Sequence, residues 1–505
     1  MPMLLGLDIG TTSTIGILID ETGATLATAS RPCVLYSDHA NWSEEDAEQW
    51  WQNACAIIPD LLAKCGRPAA DIAGVGVTGM LPAVVLLDRE DRLLRRSIQQ
   101  NDARATDEIE AMQEAIDGAE FFRRTGGSIN QQLVAPKLRW IERHEPETFA
   151  RIATVFGSYD YITWRLSGAA GIEHNWALES GLVNIGTGRF DPELVALAGI
   201  KPEQLPPIRV PQEIVGAVTP EAAAATGLAA GTPVAAGCAD LVASAFLAGA
   251  VAEGDAVLKY GGSGDILLVA AKPVTDPRLY IDHHLVPGLW FPNGCMAASG
   301  SLLNWIVREW AAGEAPKAQA AGMSVHAWLD RLAAPTPAGA EGLILLPYVL
   351  GEKTPLHDPY ARGTLVGLGL HHGLAHVWRA ALEGVAFGFR HHWDVFAERG
   401  LAVNRIVACD GGAASDLWLQ ISADVLNRPV QRLLRHPGSC LGAAYVAGVG
   451  VGMFKDWTGI ARYVEPGETF HPDPARTAVY DRAYAVFRET YERLKSLYPR
   501  LGFDA

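Results

Sequence analysis

The chain has 505 residues, more than one domain of ordinary size holds. Apolar residues make up 49% and charged residues 19%, which excludes a disordered, collagen-like or disulfide-scaffold chain. Lys plus Arg is 41 and Asp plus Glu is 57, a formal net charge of −16 with no basic block, which excludes nucleic-acid or anionic-membrane binding driven by bulk charge. A nucleotide would have to be held locally, by backbone N–H groups and a metal. Cys33, Cys55, Cys65, Cys238, Cys295, Cys409 and Cys440 are scattered, with no Cys-x-x-Cys, which predicts reduced thiols. No Lys or Arg precedes Arg31 and Asp8 interrupts the apolar start, so no signal peptide is expected. The uncharged run Pro437 to Phe454 carries five glycines and reads as tight packing rather than a membrane span. The expected location is the cytoplasm.

In chain order, Leu4 to Asp20 predicts two apolar strands around the turn Asp8-Ile9-Gly10-Thr11-Thr12-Ser13, with a third strand at Thr25 to Ala29. Ser43-Glu44-Glu45-Asp46 predicts a helix start with Ser43 as cap, the helix running to about Cys65. Val75 to Thr78 reads as a strand, interrupted by Gly79-Met80-Leu81-Pro82 as a loop at a sheet edge and resumed at Ala83 to Leu87. Residues 105–165 are helical in pattern and 186–220 loop-rich. The second half restarts the scheme: strand Ala256 to Tyr260, turn Gly261-Gly262-Ser263-Gly264, strand Ile266 to Ala270. Val377 to Phe396 predicts a long helix. Ile406 to Cys409, Asp410-Gly411-Gly412-Ala413-Ala414-Ser415 and Leu417 to Leu426 predict strand, glycine turn and helix, and helical periodicity returns from about Thr477 to Leu497. Two glycine hairpins about half a chain apart point to two related domains.

The chain has no Gly-Lys dipeptide and hence no Walker A loop, no His-Arg-Asp catalytic loop, no Gly-x-Gly-x-x-Gly after the first strand and no His-Glu-x-x-His. His283-His284, His371-His372 and His391-His392 are adjacent, so their side chains are expected to point apart rather than share a metal. Around Gly10 the backbone can approach a phosphate, with the Thr11, Thr12 and Ser13 hydroxyls as further donors, and Asp8 is placed to hold magnesium through water; the stretch also fits an ordinary polar hairpin. Gly261, Gly262 and Ser263 form a second such turn. Gly411, Gly412 and Ala413 suit a flat ring such as adenine, or simply a tight turn. Asp240, between a strand and an apolar helix, fits either a helix cap or an acid at the mouth of an interdomain cleft. Gln99-Gln100-Asn101-Asp102-Ala103-Arg104 suits hydroxyl recognition, or a solvated loop.

Taken in order, these motifs resemble the FGGY family of carbohydrate kinases over nearly the whole chain. Gly6 to Ser13 resembles its first phosphate motif, Gly261 to Gly264 its second and Cys409 to Ser415 its adenosine motif. Leu346-Pro347-Tyr348-Val349-Leu350-Gly351-Glu352-Lys353-Thr354-Pro355 resembles its proline-rich loop, and Arg379 to Phe387 the helix that follows. Ser158-Tyr159-Asp160-Tyr161 and Leu166-Ser167-Gly168 also fit.

The resemblance implies an α/β, two-domain, actin-like (sugar kinase/Hsp70 ATPase, ribonuclease H-like) fold with an interdomain cleft. It divides the chain into 1–253, with sugar site, first phosphate motif and catalytic acid, and 254–505, with the second phosphate and adenosine motifs. It implies ATP and Mg2+, with Asp240 as catalytic base and Asp102 and Arg104 as the Asp and Arg of the sugar motif Trp-x-Asp-x-Arg. Here Gln100 stands where tryptophan is usual, and Met80-Leu81 where Met-His is usual among xylulose kinases. Gly262 replaces a common threonine. The expected reaction is ATP-dependent phosphorylation of a ketopentose such as xylulose. Ribulose, a polyol (erythritol or glycerol) and a deoxyketose are alternatives, and a non-catalytic ATP-binding regulator a distant one. A homodimer is the family-level expectation for assembly.

Overall fold

The computed structural model describes residues 1–501 other than Ala40 and Pro437, so the first residue of the uncharged run lies outside the described residues. The three expected strands form as β1 (Met3–Ile9), β2 (Ser13–Asp20) and β3 (Thr25–Pro32), an antiparallel meander. β1 is buried along its whole length, as its continuous apolar run requires of a strand covered on both faces. Helix α1 (Ala47–Cys65) starts later than expected: its cap is Asp46, which accepts the Glu48 N–H at 2.9 Å. Ser43 is not the cap. Its N–H donates to Asp102, and Glu44–Glu45 pair with Ser97–Ile98, so strand pairing takes the residues that a local cap would have used.

β4 (Ile72–Gly79) lies parallel to β1, and β5 (Ile214–Ala217), β6 (Pro233–Ala235) and β7 (Cys238–Ala239) complete a seven-stranded sheet in the order β5-β6-β4-β1-β2-β3, with β7 also on β4. Gly79 to Pro82 therefore follow a central strand, not an edge strand. Val85–Leu87 leave this sheet and pair with Thr154–Phe156. Residues 105–165 are mainly helical, as expected.

The second sheet holds β8 (Asp255–Tyr260), β9 (Gly264–Leu268), β10 (Tyr280–His283), β11 (Trp290–Met296), β12 (Arg405–Cys409), β13 (Val430–Arg435) and β14 (Glu465–Phe470), in the order β10-β11-β9-β8-β12-β13-β14. From β11 to β14 its pairings run antiparallel, antiparallel, parallel, parallel, antiparallel. From β3 to β5 the first sheet runs through the same series. The sequence hint of two related halves is thus a shared topology, with β1 and β2 matched by β8 and β9.

Helix α2 (Asp240–Leu247) leaves the first sheet, and α3 (Leu374–Glu398) and α4 (Asp416–Leu426) cover the second. Helix α5 (Ser439–Gly450), from the second half, packs on the first sheet, its small residues allowing backbone-to-backbone approach. A Cβ on Gly6 would lie 2.2 Å from the Cys440 carbonyl oxygen, and one on Gly76 2.0 Å from that of Ala443. No described helix is long and apolar enough to cross a membrane, and all seven cysteines are unpaired.

The expectation that adjacent histidines point apart fails at His371 and His372. They sit in a turn, their ring centroids are 4.0 Å apart, and with Glu341 they bring ligand atoms within 4.8 Å of one another. The His372 Nδ1 accepts the Gly369 N–H at 2.8 Å, which leaves the proton of the neutral ring on Nε2.

The glycine contacts under α5 make a prediction. Gly76→Ala should lower the unfolding free energy by about 1–3 kcal/mol or more, the cost of overpacking, measured by urea denaturation against wild type.

Candidate active site at the carboxyl ends of two sheets

In an open α/β sheet the parallel strands deliver their loops to one edge, and ligands bind there. In the first sheet Asp8 is in register with Thr78, and Thr78 with Cys238, so Asp8, Gly79-Met80 and Asp240 emerge side by side from β1, β4 and β7. Thr78 Oγ1 donates to the Cys238 carbonyl at 2.7 Å and the Met80 N–H to the Ile9 carbonyl at 3.2 Å, which ties the three strand ends together. In the second sheet Lys259 is in register with Cys409, so the Gly261–Gly264 turn and the Asp410–Ala413 turn are neighbours.

Asp240 is the first residue of α2, and among the described residues its Oδ1 accepts the adjacent Leu241 N–H alone, at 2.6 Å. It is not the cap, because Ala239 occupies that position. Burial raises its pKa, and the nearby Lys259 ammonium opposes that shift. Asp8 is almost wholly buried, and its pKa is raised from 3.8 to about 7, first by burial and then by the Asp240 charge. Ser439 Oγ, at the start of α5, donates to Asp8 Oδ2, while Oδ1 is buried without a hydrogen-bond partner. Two carboxylates that repel each other, one with an orphaned buried oxygen, fit a divalent cation.

Thr11 and Ser13 are half-buried and Thr12 exposed at the first turn, where Thr11 Oγ1 contacts Met80 Sδ at 3.5 Å. Gly261, Gly262 and Ser263 show the same graded exposure. The Gly261 and Gly262 carbonyls are bound from behind by the N–H groups of Ser299, Gly300 and Ser301 at 2.8–3.1 Å. Beside this turn a cavity of about 480 Å³ is lined by Gly261, Gly262, Gly411, Gly412 and the Trp378 and Trp418 side chains, a size that suits a nucleoside. Ala414, not Ala413, completes that lining; Ala413 is buried. Asp330 also lines it and accepts from Trp378 Nε1 at 2.7 Å, a site residue that no local motif announces. Asp410 sits at φ +70°, ψ −174°, a conformation open mainly to glycine and one that marks strain at ligand-binding turns.

The other expected sugar residues divide. Met80 and Leu81 are buried, with the Met80 carbonyl accepting Ser158 Oγ at 2.6 Å. Gln100 is half-buried and accepts from Gln132 Nε2 at 3.4 Å. Asp102 and Arg104 are committed to each other: Nε donates to Oδ1 at 2.8 Å and an Nη to Oδ2 at 2.7 Å. Asp102 also accepts the Ser43 and Arg104 N–H groups, and Arg104 pairs with Glu44 at 2.7 Å and lies 3.8 Å over the Trp42 ring. Both side chains are at most 1% exposed, so the pair braces the Gln100 loop.

Near that loop Glu179, last residue of the helix His174–Glu179, hydrogen-bonds to Asp282 of β10, a contact between the two halves. Burial raises both carboxyls, and each lies within range of the Asp240 charge. Asn293 Nδ2 donates to Asp282 Oδ2 at 2.8 Å. Gln132, Glu179 and Tyr280 line a small cavity of about 40 Å³.

Two glycine turns, a nucleoside-sized cavity and a buried acid thus gather at these edges, and residues 3–247 match the N-terminal and residues 256–451 the C-terminal domain model of the FGGY family of carbohydrate kinases. The chain belongs to this family. It is a carbohydrate kinase, and FGGY kinases use ATP. The chain is 50% identical to the crystal structure of xylulose kinase from Rhodospirillum rubrum, with a TM-score of 0.92 over 98% of this chain and 99% of that one. It is 30% identical to the xylulose kinase of Bacillus subtilis (98% of each chain) and 28% identical to the gluconokinase of the same bacterium (99% of this chain, 97% of that one).

Two predictions follow from the buried charges. Asp102→Ala removes the bidentate partner of the buried Arg104 guanidinium, leaving it Glu44 alone among carboxylates, and should cost up to about 3–5 kcal/mol of stability in denaturant unfolding, the range for breaking a buried pair. Folded Asp8 holds a proton that the unfolded chain releases between pH 3.8 and about 7. Its contribution to stability therefore falls as pH rises through that window, and Asp8→Asn should flatten that part of the stability–pH curve.

Proposed function

We propose that the protein transfers the γ-phosphoryl group of ATP to the terminal hydroxyl of a neutral ketopentose, D-xylulose, giving xylulose 5-phosphate. The observation that carries the reaction is the placement of Asp240, a buried carboxylate at the head of α2 that caps nothing and shares its strand-end edge with Asp8. In this reading Asp240 accepts the proton of the attacking hydroxyl, and the amides of the turns at Gly10–Ser13 and Gly261–Ser263 orient the phosphates. Gly411, Gly412 and Ala414 lie against the adenosine. Asp8, with its orphaned oxygen, would hold Mg2+, which when bound neutralises phosphate charge. The Asp102–Arg104 brace sets the Gln100 loop, leaving the Gln100 amide for substrate hydroxyls. Closure of the halves over the site would exclude water as a competing acceptor.

The sugar assignment is supported by the resemblance to the Rhodospirillum rubrum xylulose kinase. The buried Glu179–Asp282 carboxyl pair favours a neutral acceptor over a sugar acid such as gluconate, because a third carboxyl there would enter a site where burial already disfavours the charged form. The reading places the enzyme in the cytoplasm, in keeping with its unpaired thiols.

The test is coupled ADP release with Mg-ATP over both hands of xylulose and ribulose, erythritol, glycerol and D-gluconate. D-xylulose should give the highest kcat/KM and D-gluconate no signal above basal hydrolysis. Asp240→Asn should lower kcat by at least about 10²-fold, the lower range for a positioned base. A different best acceptor would reassign the substrate, and undiminished turnover in Asp240→Asn would overturn the mechanism.

A further inference from the structure

Lys259 is the penultimate residue of β8, just before the Gly261 turn. It stands opposite Asp265 across the hairpin and opposite Cys409 on β12, and Asp265 stands opposite Cys295 on β11. Residues in cross-strand register share a face, so these four side chains form one row across the second sheet. Strand alternation shows which face it is. Val257, Leu267 and Cys409 belong to the hydrophobic cluster of the first half, whereas Leu258, Tyr260 and Ile266 belong to that of the second. Lys259 therefore points toward the first sheet, where its charge acts on both Asp8 and Asp240.

Despite these acidic surroundings, the Lys259 ammonium makes no hydrogen bond or ion pair among the described residues. Lys353, from a loop beside the Cys295 end of that row, leans instead on Cys295 Sγ at 3.9 Å. A half-buried cation without a direct partner carries a desolvation cost that a bound anion would offset. Two residues on, the turn offers backbone N–H groups but one hydroxyl, Ser263, where the first turn carries Thr11, Thr12 and Ser13. A Cβ at Gly262 would meet nothing within 4 Å, so the space before the turn is open.

We propose that Lys259 is a catalytic residue whose ammonium contacts the γ-phosphate of ATP and supplies the positive charge that the hydroxyl-poor second turn lacks. The inference rests on the kinase reading above. In the step it assists, the terminal sugar oxygen bonds to the γ-phosphorus and the bond from that phosphorus to the β-phosphate bridging oxygen breaks. The hydroxyl proton passes to Asp240 and ADP leaves. Lys259 keeps its proton throughout, since the carboxylates of Asp265, Asp410 and Asp240 hold its pKa above the ordinary lysine value.

Lys259→Met and Lys259→Arg test this in the full-length enzyme, by steady-state kinetics with D-xylulose and by calorimetric titration with ADP and with AMPPNP, a non-hydrolysable ATP analogue. Lys259→Met should lower kcat by about 10²–10³-fold, the range for losing one charge-stabilising donor, with the sugar KM little changed. Its ADP affinity should match wild type, which also reports an intact fold, while its preference for AMPPNP over ADP should drop by roughly tenfold, one lost charge-assisted contact. Lys259→Arg should recover part of both losses. Wild-type kcat and wild-type AMPPNP preference in Lys259→Met would overturn the proposal. If wild type releases no ADP in response to any sugar, the kinase reading fails, and the AMPPNP preference still decides whether Lys259 meets the γ-phosphate.

Discussion

The backbone contact between α5 and the first sheet is the constraint on which the rest of the molecule depends. Gly6 and Gly76 leave no side chain between β1, β4 and the carbonyl groups of Cys440 and Ala443. A helix that belongs by sequence to the second half is thereby fixed on the first. Its opening residue, Ser439, reaches Asp8 at the strand end. The same packing joins residues of β8, β12 and β13 to the hydrophobic cluster of the first half. The relative position of the two strand-end edges is therefore set by close-packed main chain, which tolerates little adjustment.

Given that contact, the duplicated topology does the remaining work. Each half sends a hairpin turn and the loop of a neighbouring parallel strand to its carboxyl edge. The halves then differ by side chain. The first supplies acids, Asp8 and Asp240, while the second supplies glycine turns, the nucleoside-sized cavity and Lys259. In the proposed reaction that division of charge would put a proton acceptor on one side of the phosphates and a cation on the other, an arrangement suited to in-line transfer.

Much of this was legible in the sequence because the signals are local. A glycine turn between apolar strands, or an acid between a strand and an apolar helix, is readable over a dozen residues, and both turns, the Asp410 turn and Asp240 stand where the motifs put them. Part of what a local reading misses is set by a partner distant in sequence. Ser43 is drawn from its capping role by Asp102, and Asp102 and Arg104, which the resemblance marks as residues of the sugar motif, are engaged by each other, Glu44 and Trp42. Asp330 lies in a helix with no motif, and Ala414 displaces Ala413 because the short helical turn aims one methyl inward and its neighbour outward. Lys259 was readable only as a strand residue until the register showed which face it shares.

The surplus of acidic residues then becomes intelligible at the site. A chain of net charge −16 repels a nucleotide in bulk, so binding has to rest on a few cations whose surroundings keep them charged and aimed. Lys137, whose pKa burial lowers to about 7, is held by the carbonyls of Gln99, Gln100 and Gln132, Lys353 by Cys295, and Lys259 lies among carboxylates with no hydrogen bond or ion pair to any of them among the described residues. The first two are occupied in holding protein together. The third is left for the ligand, because Asp265, Asp410 and Asp240 raise its pKa without closing an ion pair on it. Placing carboxylates near a lysine but out of contact keeps the charge on and the donors free, which bulk basic charge could not do without also attracting unrelated polyanions.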